Sequence, residues 1–245
     1  MEIWEYLLLF LSVIIGGGIG LFFQNDRKQY LRLLLSFSGA YILGITVLHI
    51  LPGVYGAINS TTTFWILGGF FLQLLLEQLS QGVEHGHIHA HKNADRLFAF
   101  QILLGLCLHA FLEGVPLSNY DVLEHNHSHG SHDNELNHLL FGIILHKAPA
   151  AFALSVLLLK SGLKPAFTIG CILVFSTMSP LGAFLSDQLS PGATLLQNAL
   201  ALVAGSFLHI STTILFESDS SHHHHISWIK MGVIVLGLAA ALLTV

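Results

Sequence analysis

The feature that most constrains this chain is a succession of eight apolar runs, over residues 3–23, 31–52, 63–80, 97–117, 138–159, 165–185, 192–216 and 226–245. About 20 residues of helix cross the hydrocarbon core of a bilayer, and each run is close to that length. Lipid offers no partner to backbone amides, so such a run pairs them internally and is helical. Eight helices and their connections use all 245 residues. The expectation is an all-α integral membrane protein, one eight-helix transmembrane domain over 1–245, with no room for a separate soluble one. Only 9% of residues are charged and 53% are hydrophobic, against about 25% charged in a soluble domain. The nine Lys and Arg are too few and scattered for a nucleic-acid footprint. No G-x-x-x-x-G-K-[ST] loop is present, which argues against a nucleotide partner. Glu2 and Glu5 stand where a secretory signal would be basic, and Gly16 to Gly20 is no cleavage site, so the first run reads as a retained helix. Cys107 and Cys171 lie inside apolar runs and read as core residues, not as a disulfide or a thiolate zinc site.

Orientation follows from the basic residues. With the N-terminus outside, the inner loops and helix ends hold Arg27, Lys28, Arg32, Lys92, Arg96, Lys160, Lys164 and Lys230. The outer loops hold none, and the one remaining basic residue, Lys147, lies inside the fifth run. The outer loop after helix 4 carries Asp121, Glu124, Asp133 and Glu135 instead. The small size leads to the expectation of a minimal multi-pass protein of the prokaryotic kind in a cytoplasmic (inner) membrane, with an organelle membrane left open.

Histidine is the unusual residue, with 17 copies. Twelve form three loop clusters: His85, His87, His89 and His91 after helix 3; His125, His127, His129 and His132 in the acidic outer loop; and His222, His223, His224 and His225 after helix 7. Neutral imidazole is a common ligand for zinc and neighbouring metals, so such tracts capture divalent ions loosely without defining a geometry.

A sharper signal lies inside the apolar runs. Helix 4 reads His109-Ala110-Phe111-Leu112-Glu113-Gly114-Val115-Pro116. His109 and Glu113 are four apart, on one helical face and one turn from each other. Ionisable groups at that depth are costly and face a cavity or a partner. An imidazole and a carboxylate together make half of a site for a borderline metal. Helix 5 repeats the theme in His146-Lys147-Ala148-Pro149. Pro116 and Pro149 remove helical donors and are expected to bend helices 4 and 5, as broken backbone often does where transporters bind cargo. The expected metal ligands are therefore His109, Glu113 and His146. His49 near the outer end of helix 2, His209 in helix 7 and Glu77 near the inner end of helix 3 are candidates for an ion path or for ordinary interhelical hydrogen bonds.

At these residues the chain resembles the ZIP (Zrt/Irt-like protein) family of metal transporters. His109 to Gly114 is similar to the family's His-Asn-x-x-(Asp/Glu)-Gly, and His146 to Pro149 to its (His/Gln)-(Glu/Asp)-x-Pro-(His/Glu). His49-Ile50-Leu51-Pro52 resembles its His-Leu-Leu-Pro, and Pro180-Leu181-Gly182-Ala183 its Glu-Pro-Leu-Gly. Ala204 to Glu217 resembles the closing Gly-x-Phe-Leu-Tyr segment, with His209 in place of the Tyr. The resemblance implies a ZIP-like bundle, alternating access by one helix group sliding on the other, metal entering the cytoplasm, no cofactor and a homodimer. It also implies a lost second metal site. Ala110, Lys147, Ala150 and Ser179 stand where the family often places ligands, and the Lys147 ammonium is expected to stand in for the second metal. Zinc is the first expectation for the cargo, with iron, manganese, cobalt and cadmium open. Two other readings use the same residues: an intramembrane metal-dependent hydrolase, which would need a free coordination position for water, and a metal-sensing membrane protein whose transport site has decayed.

Overall fold

The computed structural model describes residues 1–22, 28–55, 60–86, 96–119, 138–189, 192–216 and 228–243. Among them there is no strand. We number the helices α1 (Ile3–Phe22), α2 (Lys28–Ile45, extended by a π-helical turn Thr46–Ile50 and by Leu51–Tyr55), α3 (Ser60–Ser80), α4 (Arg96–Gly114), α5 (His138–Lys160), α6 (Pro165–Leu189), α7 (Ala193–Phe216) and α8 (Trp228–Leu243). Seven are long and apolar enough to cross a membrane, and the described part of α8 is apolar but shorter, at 16 residues. The polarity is inverted relative to a soluble bundle. Leu7, Phe64, Phe71, Leu97 and Leu236 are exposed, whereas His109, Glu113, His146, Lys147 and a series of serines are buried. Leucine faces outward at no cost only in lipid, and polar groups then gather inside where they can pair.

The helices pack as two groups. In the first, α1 lies on α5 and α6, and α4 lies on α6. In the second, α3 lies on α7, and α2 lies on α7 and α8. The groups meet where α2 crosses α5 and where α3 crosses α4. Small residues set the closest approaches. A Cβ at Gly16 would run into the Ala148 carbonyl of α5, and one at Gly69 into the Leu202 carbonyl of α7. The Gly16/Gly20 pair thus seats α1 on α5, as such pairs do in membrane helices. Ser155 fastens the same contact, its Oγ donating to the Gly17 carbonyl at 2.9 Å.

Three local breaks position the polar residues. The π-turn Thr46–Ile50 carries His49, with Leu51 N–H donating to the Thr46 carbonyl, and ends two residues before Pro52, which has no N–H to continue the pattern. Helix α4 differs from the sequence expectation. It stops at Gly114 and passes through a turn into a 3₁₀ segment, Leu117–Asn119, with Val115 N–H donating to the Leu112 carbonyl at 3.3 Å. Pro116 therefore closes the helix and does not bend it. Pro149 does lie within α5, and Pro180 within α6. Beyond α3 the chain reverses through Gln81 (φ 55°) and Gly82 (φ 70°), makes a 3₁₀ turn Val83–His85, and turns again at Gly86 (φ 85°). The two glycines take left-handed backbone that side chains resist. Their effect is to fold Glu84 and His85 back under the bundle, where both are buried.

Candidate metal centre

Helix α4 supplies a vertical pair. One turn separates His109 from Glu113, and Nε2 of His109 lies 2.8 Å from Oε1 of Glu113. Helix α5 supplies two consecutive residues to the same carboxylate. Lys147 Nζ lies 2.8 Å from Oε2 of Glu113 and 5.4 Å from the centre of the Phe175 ring of α6. His146 brings its ring edge-on to that of His109, with centroids 6.1 Å apart. All four residues are at least 97% buried. A carboxylate withdrawn this far from water needs compensation, and Glu113 has an imidazole on one oxygen and an ammonium on the other.

One ligand atom from each of His109, Glu113 and His146 falls within 4.8 Å of the others. Tetrahedral zinc with bonds near 2 Å sets its ligands about 3.3 Å apart, so small side-chain rotations would close the set on an ion. Neither ring nitrogen of His146 has a hydrogen-bond partner among the described residues. A buried imidazole without partners is costly, and coordination of an ion by one of its ring nitrogens would offset part of that cost. Beside His109 and Glu113 lies a cavity of about 10 Å³, room for roughly one water. Leu112 of α4 also lines it, and the facing wall comes from the second helix group, through Gly69, Gln73 and Leu76 of α3 and Val203 and Ser206 of α7. Two of the positions where the family resemblance implies second-site ligands, Ser179 and Ala150, offer no free donor to this set. Ser179 Oγ donates to the Ala110 carbonyl at 2.7 Å, and Ala150 is buried.

From the cavity a polar ladder runs along α3 and α7 toward the end of the bundle that bears Arg96, Lys160 and Lys164. Ser206 donates to Oε1 of Gln73 at 3.0 Å, and Nε2 of Gln73 donates to Oε1 of Glu84 at 2.9 Å. One turn further, Glu77 and His209 meet at 2.5 Å, with His85 beside them. The structure thus gathers two path candidates, Glu77 and His209, with the first histidine of a loop cluster. His49 sits apart, at the other end, its ring stacked on His138 at 5.0 Å. His87, His89, His91, His125, His127, His129, His132 and His222 to His225 lie outside the described residues. Sequence reasoning passed over Gln73, Ser206, Glu84 and His138. An amide in an apolar run, four residues before Glu77, was the available signal for Gln73.

Comparison with known proteins places the chain in a family. Residues 80–244 match the family model Zip, described as ZIP Zinc transporter. The chain is 27% identical over 268 residues to Zinc transporter ZIP1 of Homo sapiens, spanning 89% of this chain and 78% of that protein. Against Zinc transporter ZIP1 of Bos taurus it is 27% identical over 234 residues, 76% of this chain and 69% of the relative. A shorter match to Zinc transporter ZIP9 of Micropogonias undulatus is 31% identical over 169 residues, 64% and 51% of the two chains.

Proposed function

The chain belongs to the ZIP zinc transporter family, and from that premise we propose that it carries zinc into the cytoplasm through a single site held by His109, Glu113 and His146. Family membership makes it a multi-pass membrane transporter of divalent metal and not an enzyme; the metal is cargo, and no cofactor is involved. The observation that carries the finer reading is the buried His146, without hydrogen-bond partners among the described residues, with a ligand atom within 4.8 Å of those of His109 and Glu113. Two imidazoles and one carboxylate suit zinc, with one position left for water.

In this reading the whole eight-helix domain works by alternating access, the α1/α4/α5/α6 group sliding on the α2/α3/α7/α8 group. His49 and His138 mark the outer mouth. The ladder of Gln73, Ser206, Glu77 and His209 marks the way in. The outer acidic His loop concentrates metal, and the inner His loops take up or sense the released ion. Lys147 occupies the place of a second metal and holds the second oxygen of Glu113, so the cargo meets one ligand set and a fixed positive charge. The N-terminus lies outside, from the sorting of basic residues, and the assembly is a homodimer.

The test is zinc uptake into proteoliposomes, wild type against His109→Ala. The expected result is uptake by the wild type and loss of it in the variant. Equal uptake by both would refute the site; no uptake by the wild type would refute the transport reading.

A further inference from the structure

We propose that Glu77, His85 and His209 form a second divalent-metal site, separate from the His109–Glu113–His146 set, which receives zinc at the basic end of the bundle. The receiving role rests on the transport reading; the binding does not.

The three residues come from three elements: Glu77 from the last turns of α3, His85 from the 3₁₀ turn that follows, and His209 from α7. Their ligand atoms all lie within 4.8 Å of one another. Both imidazoles aim Nε2 at the same carboxylate oxygen, Oε2 of Glu77, His209 at 2.5 Å and His85 at 3.6 Å. These separations bracket the spacing of about 3.3 Å between ligands on tetrahedral zinc. A structural hydrogen bond accounts for the His209–Glu77 pair alone. It does not account for His85. That side chain is fully buried, and neither ring nitrogen has a hydrogen-bond partner among the described residues. At 3.6 Å its approach to Glu77 is beyond hydrogen-bond reach. An imidazole held inside without a hydrogen-bond partner among the described residues, directed at a carboxylate that already faces a second imidazole, completes the donor set of a borderline cation.

The surroundings favour a cation as well. Glu84, next to His85, is fully buried, with one oxygen on Gln73 and the other without a hydrogen-bond partner among the described residues. In the first set an ammonium sits on the carboxylate; here Oε2 of Glu77 faces only imidazole nitrogens among the ion pairs it makes. The site is also placed to receive. Gln73, which lines the cavity beside His109 and Glu113, precedes Glu77 by one turn of α3, about 6 Å along the axis.

The experiment counts tightly held zinc on the purified full-length protein in detergent, after competition with a chelating dye. The chains compared are wild type, His209→Tyr, Glu77→Gln, His109→Ala and His109→Ala/His209→Tyr. The histidine loops are present in every chain, so differences read the two sites. We expect His209→Tyr and Glu77→Gln each to lose one equivalent, His109→Ala to lose another, and the double variant to lose both. Retention of the His109-dependent zinc certifies the fold of the single variants, and His85→Asn gives a third, independent perturbation. Zinc content equal to wild type in Glu77→Gln, His209→Tyr and His85→Asn would overturn the site. Uptake into proteoliposomes is expected to fall several-fold in His209→Tyr; unchanged uptake with the zinc lost would overturn the receiving role. A wild type that moves no zinc would refute transport, while the zinc count would still decide the site.

Discussion

Lys147→Met tests how the buried charges share their work. At the 2.8 Å separation of Nζ and Oε2, unit charges attract by about 6 kcal/mol at an effective dielectric constant of roughly 20. Desolvation offsets much of this, and removing one partner of a buried pair costs about 3–5 kcal/mol. Methionine fills most of the lysine volume, so the metal-free protein should lose stability in that range through charge and not through a cavity. Zinc binding should change in the opposite direction. An ion on Oε1 would stand roughly 5 Å from the ammonium, where repulsion between +2 and +1 is at most about 7 kcal/mol at the same dielectric constant. The lysine stem can swing away, so only part of this is realised; we expect zinc to bind at least about tenfold tighter, or 1.4 kcal/mol. The assay is thermal unfolding in detergent with and without zinc, paired with dye competition. The variant should melt lower without zinc and recover more than the wild type when zinc is added. Weaker zinc binding by a folded Lys147→Met chain would refute the reasoning and make the ammonium a positioning group for Glu113.

Gly69→Val should cost at least about 1–3 kcal/mol, because the new Cβ meets the Leu202 carbonyl, whereas Gly68→Ala, with open space around it, should leave stability unchanged or raise it by up to about 1 kcal/mol; melting temperatures of the two decide. Ser155→Ala, which removes the donor to the Gly17 carbonyl, should cost about 0.6 kcal/mol in an unfolding titration. Gln73→Glu exchanges the donor that faces Glu84 at 2.9 Å for a like charge, and should lose about 1–3 kcal/mol of stability by the same measurement.

What could be read from the sequence depended on how local the physics was. The apolar runs announced the helices because lipid admits little else. The His109/Glu113 pairing was legible because residues four apart share a helical face, whatever the fold around them. That His146 turns its ring toward His109 depends on how α5 sits against α4 within the bundle, which no spacing encodes. The expected bend at Pro116 came out as a helix end, since the residues after Gly114 adopt a turn and not another helical stretch. The gathering of His85 with Glu77 was hidden for a further reason. It requires the left-handed backbone of Gln81, Gly82 and Gly86, and the sequence around it reads as the start of a histidine-rich loop. His209 gave a partial hint, as an imidazole where the family pattern has a tyrosine.

Each helix group carries one of the two candidate ligand sets, although the turn that bears His85 also packs against α5. His109, Glu113 and His146 ride on α4 and α5, while Glu77, His85 and His209 ride on α3, its following turn and α7. In the proposed sliding of one group on the other, the separation between the sets becomes a coordinate of the protein's conformation and not a constant of its fold. Any sliding of the groups lengthens or shortens that span directly. Reporters placed on α4 and α7 near the two sets would read that proposed sliding as a distance, without any flux being measured.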